Sequence, residues 1–134
     1  GEDWSELRIE TMQLLQKESE LKEIVRLVGL DALSDYDKLV LESARSIRED
    51  YLYQSAFDPI DTYASSKKQY LMLKVVITFY REAKNALERG VELNKILSLP
   101  IREEISQMRF IHENEIEKIT KLNEKLIEQI KSLN

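Results

Sequence analysis

A chain of 134 residues that is 43% apolar, with 25 acidic against 20 basic side chains and a formal charge of −5, has the size and balance of one soluble domain able to close a single core. It contains no cysteine and one histidine, His112, which excludes disulfides, thiol catalysis, Cys-ligated zinc and any His-pair metal site. The acidic balance, with Lys67-Lys68 as the one adjacent lysine pair, argues against a nucleic-acid partner, and three glycines with two prolines leave too little punctuation for a turn-rich sheet, so helix is the expectation.

From Trp4 to Val28 the apolar residues Trp4, Leu7, Met12, Leu14, Leu15, Leu21, Ile24, Val25 and Val28 recur mostly at spacings of three and four, which predicts a helix with one apolar side. Glu18 and Lys22 stand as an i,i+4 pair on its wet face. Gly29 ends the helix as a cap, because glycine takes a positive φ without steric penalty. Ser34 then opens a second helix, with its hydroxyl placed to accept from the amide of Asp37 and with acids in the first turn to complement the dipole. Its apolar stripe is Leu39, Val40, Ala44, Ile47, Tyr51 and Leu52. The segment Gln54-Ser55-Ala56-Phe57-Asp58-Pro59-Ile60-Asp61 breaks the pattern, since Pro59 cannot continue a helix and disfavours helical geometry at Asp58.

Ser66 with Gln69 forms a capping box for a third helix through Tyr70, Leu73, Val76, Ile77, Tyr80, Ala83 and Leu87, which Gly90 stops. Val91 to Leu97 makes a short helical turn. Pro100 occupies a first helical position ahead of Glu103 and Glu104. No further breaker follows, so residues 101–134 are expected as a continuous amphipathic tail with Ile116, Ile119, Leu122, Leu126, Ile130 and Leu133 on one face. The whole chain, residues 1–134, is expected to be one all-α domain, a bundle of four to five mostly antiparallel helices with a long C-terminal amphipathic helix.

Catalytic chemistry finds little footing. The glycines at positions 1, 29 and 90 cannot build a phosphate-cradling loop. Glu103 and Glu104 are sequence neighbours and point apart on a helix. His112 reads as a polar residue at a helix junction. A di-metal carboxylate bundle needs a histidine from each of two helices and fails by counting. No metal site or catalytic residue is expected in this chain. Two loops hold more interest: Leu30 to Asp37 gathers three carboxylates and two exposed-looking leucines at one corner, suited to a basic partner surface, and Phe57 offers one aromatic face to a flat ring. The simpler readings are a helix cap at Ser34 with Leu33 as a staple, and a phenylalanine anchoring a turn.

The most apolar run, Leu71 to Tyr80, is interrupted by Lys74 and falls well short of the ~20 residues a membrane span needs. The amino terminus lacks the basic and apolar regions of a secretory signal. The expectation is a cytoplasmic chain without direct membrane insertion, excised from something larger.

The run Glu23-Ile-Val-Arg-Leu-Val-Gly-Leu-Asp-Ala-Leu-Ser-Asp-Tyr-Asp-Lys-Leu, with Ala44-Arg-Ser-Ile-Arg-Glu-Asp-Tyr-Leu, Ala56-Phe-Asp-Pro-Ile-Asp-Thr-Tyr and Lys68-Gln-Tyr-Leu-Met-Leu-Lys, resembles the carboxy-terminal helical domain of the catalytic A subunit of archaeal and vacuolar-type rotary ATPases. The resemblance covers about residues 3–111, and an archaeal source is expected from the style of the tail. It implies a subunit that alternates with a non-catalytic B subunit around a central rotor and couples ATP hydrolysis or synthesis to proton or sodium transport. It further implies that ATP or ADP with Mg binds mainly in a preceding nucleotide domain, so that this chain has no ATPase activity by itself. By the same resemblance Asp31, Leu33, Ser34, Asp35 and Asp37 correspond to an acidic lever motif that faces the rotor, diluted here by Ala32 and Tyr36. Phe57 matches an aromatic of the adenine pocket, with Gln54, Ser55 and Ala56 beside it. The competing expectation is a free-standing helical interaction module that uses the Ile116 to Leu133 stripe and no nucleotide.

Overall fold

A computed structural model describes residues 2–52 and 66–134; the Gln54 to Asp61 segment lies outside the described residues. These residues form six α-helices and no strand: α1 (Trp4–Val28), α2 (Asp35–Ser46), α3 (Ser66–Glu88), α4 (Leu93–Leu97), α5 (Ile101–Gln107) and α6 (Glu117–Lys131). A wider i→i+5 turn, Ile47–Leu52, prolongs α2, and short 3-10 turns lie at Leu30–Ala32, Met108–Phe110 and Glu113–Glu115.

Cross-helix pairs fix the directions. Tyr70 donates to Asp3, and Arg81 forks onto Glu10 at 2.6 and 2.9 Å, so α1 and α3 run parallel. Arg48 meets Glu18, which with the short turn at Gly29 makes α2 antiparallel to both. Lys95 reaches the carbonyl of Asn134, Lys125 pairs with Glu104, and Lys68 donates to the Arg109 carbonyl. The α4–α5 limb therefore descends beside α3 and α6 ascends again. Successive limbs are antiparallel, as the short connections at Gly29, Gly90 and His112 favour.

Helix α3 is the axis. Every residue from Val75 to Phe79 is buried, because α1, α2 and α6 all pack on it. On α1 the buried positions are Leu7, Thr11, Leu14, Glu18 and Leu21, a narrow stripe at spacings of three and four. The broader apolar side expected from the sequence does not form, since Met12, Ile24 and Val28 are exposed. In α2 the stripe holds through Leu39, Val40, Ala44 and Ile47, while Leu52 is exposed.

The tail departs from the single helix expected of it. The Arg109 carbonyl receives the ammonium of Lys68 at 2.8 Å, a side chain only 1% exposed, and His112 then caps a new turn by accepting from the Asn114 amide. The chain reverses between α5 and α6. A straight helix over 101–134 would run about 50 Å against about 35 Å for α3, leaving its apolar stripe partly uncovered. The reversal instead seats Ile119, Leu122, Leu126 and Ile130 in the same core as Ile101 and Ile105. His112 is the polar junction residue the sequence suggests.

Gly29 adopts φ 90 and ψ 163, a region open to glycine alone among ordinary residues. A Cβ there would meet no atom within 4 Å, so the constraint is backbone conformation and not space. Gly29→Ala is expected to lower stability by about 1–3 kcal/mol, read from urea unfolding midpoints, with helix content retained.

Candidate functional site

The α1–α2 connection is built from local chemistry. The Gly29 amide donates to the Val25 carbonyl at 2.8 Å, and the Leu33 amide to the Leu30 carbonyl at 3.0 Å, closing the 3-10 turn. Ser34 accepts from the Asp37 amide at 3.1 Å and caps α2, with Asp35 and Asp37 in the first turn where the helix dipole favours anions. The cap expected from the sequence is present.

What the sequence does not reveal is where this connection sits. With Asp3 beside Tyr70 and Lys74, Glu10 beside Arg81, and α1 parallel to α3, Glu88, the last residue of α3, comes level with residues 17–21 of α1. The rest of α1 overshoots. From Lys22 to Ala32 no side chain is buried and only Val25 is half-buried, so the tip of the α1–α2 hairpin projects roughly 10–16 Å beyond the end of α3. Its apolar residues face water: Leu27 is 71% exposed, Val28 65%, Leu30 50% and Tyr36 43%. Leu33, expected as exposed, is only 7% exposed; it turns into the core and anchors the returning limb of the hairpin, with no apolar partner at Lys38 to complete a staple. Asp31, Ser34 and Asp35 are exposed and Asp37 half-buried. Among the described residues no base pairs with these three carboxylates. Leu30 is the exposed leucine the sequence suggests at this corner, and Leu27 and Val28 join it on the same tip, where periodicity assigns Val28 to the buried side.

The root of the tip is ionic. Glu18 is buried, with Arg48 Nη2 at 2.6 Å and Nε at 3.2 Å from its two oxygens and Lys22 at 3.6 Å. This corrects the wet-face placement of Glu18: the heptad run Leu7, Leu14, Leu21 carries it inward, where Arg48 compensates its charge.

A second polar region, a cleft of about 240 Å³, lies between the Ile47–Leu52 turn and α5 and is lined by Glu42, Arg45, Asp50, Phe79 and Arg102 among others. Arg45 and Arg102 both donate to Glu42 Oε2 at 2.7 Å. Burial alone would raise the Glu42 carboxyl, but the two guanidinium hydrogen bonds and their charge outweigh it and hold it below the ordinary value. Asp50 goes the other way: burial, with the repulsion of Glu49, raises its carboxyl despite the hydrogen bond from Ser46. No group of three or more potential metal ligands converges among the described residues, and no described helix is long and apolar enough to cross a membrane. Phe57, Gln54, Ser55 and Ala56 lie outside the described residues.

A family described as the C-terminal domain of V and A type ATP synthase matches residues 1–97. The chain belongs to this family. It is 56% identical over 114 residues, 85% of its length, to the V-type ATP synthase alpha chain of Thermoanaerobacter pseudethanolicus. It is 50% identical over 132 residues, 98% of its length, to that of Acetivibrio thermocellus, and 53% identical over 131 residues to that of Clostridium botulinum. The V/A-type family match stops near the end of α4, yet the last two relatives remain similar through α5 and α6, so the covering helices belong with the rest of the bundle. The chain spans about a fifth of the length of these relatives. All three are bacterial, and the archaeal source expected from the tail gains no support from them.

A carboxyl whose folded value is raised holds its proton more tightly in the native than in the unfolded chain. Ionising Asp50 therefore costs stability as pH rises past the ordinary carboxylate range, and the full cost is present above the raised value. Asp50→Asn is expected to be more stable than wild type at neutral pH and to lack the wild-type component of stabilisation on acidification, measured as urea midpoints between about pH 4 and pH 7.

Proposed function

We propose that this bundle is the lever of the catalytic A subunit of a rotary ATP synthase or ATPase, carrying the opening and closing of a nucleotide site to a central rotor. The observation that supports it most directly is the overhanging α1–α2 tip: a family member with a projecting corner of unpaired carboxylates and bare apolar side chains has the shape and chemistry for contact with another subunit. The nucleotide, ATP or ADP with Mg, is held by the preceding part of the parent subunit, and the chain itself catalyses nothing. The non-catalytic B subunit and the rotor subunits are its partners, in a cytoplasmic assembly peripheral to the membrane through which the parent complex moves protons or sodium ions. Asp31, Ser34, Asp35 and Asp37 meet the rotor, and Leu33 holds the tip from inside.

The nucleotide end of the lever is Phe57, flanked by Gln54, Ser55 and Ala56, whose ring covers one face of the adenine. Aromatic stacking on a base is worth about 1–3 kcal/mol. Phe57→Ala in the full-length subunit is therefore expected to weaken ATP binding by about five- to hundredfold, measured by fluorescence titration; unchanged affinity would refute the adenine role.

At the rotor end, exposed charge pairs contribute about 0.2–1 kcal/mol each. Replacing Asp31, Asp35 and Asp37 together by asparagine is expected to lower rotor affinity about three- to hundredfold, with the loss shrinking at high salt, in a pull-down or interferometry assay. Unaltered affinity would leave the tip with at most a steric contact.

The free-standing interaction module finds less support. Its binding stripe, Ile119, Leu122, Leu126 and Ile130, is buried within the bundle, and the relatives are about five times as long as this chain.

A further inference from the structure

A projecting tip transmits force only if its root cannot turn. Beyond Leu21 the outgoing limb of the hairpin touches the body through half-buried Val25, and the returning limb through Leu33, Leu39 and Val40. These are apolar contacts, which resist separation but allow sliding, because the hydrophobic effect has no direction. One directional contact sits at the root. Arg48, in the turn that follows α2, grips both oxygens of Glu18 on α1, at 2.6 and 3.2 Å, across thirty residues of sequence. The Glu18 side chain is 7% exposed, and Lys22 approaches the same oxygen that takes Arg48 Nη2.

We propose that the Glu18–Arg48 pair is the clamp of the lever, a positioning pair that fixes the orientation of α1 against the end of α2 so that the tip moves with the body. The proposal rests on the lever reading above. A guanidinium fork on a carboxylate constrains angle as well as distance, which a lysine or an apolar contact does not. The pair lies ten residues before the end of α1, about 15 Å along it, where a small rotation at the root becomes the largest displacement at Asp31 and Leu30.

The test uses the assembled complex containing the full-length subunit, with a load attached to the rotor. Truncating Arg48 alone would strand a buried carboxylate and threaten folding, so the variants are Glu18→Gln with Arg48→Gln, Arg48→Lys, and the exchange Glu18→Arg with Arg48→Glu. Stall torque, unloaded ATP turnover and the thermal midpoint of the subunit are read together. The double glutamine variant is expected to lose at least half of the stall torque while turnover and assembly persist, Arg48→Lys to lose an intermediate share, and the exchange to recover most of it. Full torque in the double glutamine variant, or a loss that tracks turnover and is not recovered by the exchange, would overturn the clamp. If the clamp variants keep their torque while the triple asparagine tip variant loses it, the clamp fails and the lever stands. If the tip variant also keeps its torque, the clamp still fails, and the lever reading is left with a purely steric contact at the tip.

Discussion

The register between α1 and α3 governs the rest of the molecule. Both helices bury apolar stripes and would tolerate sliding past one another by a turn, but Asp3 against Tyr70 and Lys74, and Glu10 against Arg81, hold them at one offset. The Tyr70 hydroxyl holds the Asp3 carboxyl below its ordinary value against the opposing effect of burial, with Lys74 adding to it, and Trp4 packs its ring 5.8 Å from that of Tyr70. Given that offset and the two helix lengths, α1 has to outrun α3. The exposed Leu27, Val28 and Leu30 follow from it, as does the isolation of Asp31 and Asp35 from the bases of the body.

The opposite end of the bundle is closed by the tail. An axis helix buried on every side needs covers, and α1 with α2 supply only part of them. Reversal at His112 brings α6 up the open side of α3, while Lys68 spends its charge on the carbonyl end of the descending limb. Burying a lysine is costly unless its protons are all satisfied, so this contact fixes the place of the reversal more firmly than a surface pair would. Arg89 performs the same service at the far end, donating to the carbonyl of Ile130.

Charge in this bundle is therefore arranged by limb. Most i,i+3 pairs, such as Arg26 with Glu23, lie on exposed faces and contribute little to stability. Among the pairs that join limbs, Glu18 with Arg48 and Glu42 with Arg102 are partly buried, and they carry orientation. Asp31, Asp35 and Asp37 of the tip stand exposed or half-buried and, among the described residues, pair with no base. On the lever reading proposed above, this anionic and apolar corner is the face the bundle offers to a partner subunit.

Much of this was legible in the residues. The spacing of Leu7, Leu14 and Leu21, the Ser34 cap, Gly29 and the amphipathic run from Ile119 to Ile130 follow from local rules of helix periodicity and capping, and they determined an all-α fold and the place of the α1–α2 turn. The family was carried by contiguous motifs, and the residues proposed for the rotor were named from them. The sequence alone could not place Glu18 inside, Leu33 in the core or Val28 in water, and it ran the tail on as one helix. Each of those depends on which helix lies alongside and how far it reaches, a relation between residues tens of positions apart. Periodicity records which face of a helix is apolar; whether that face is covered depends on the length and register of its neighbours, and only the tertiary structure decided that.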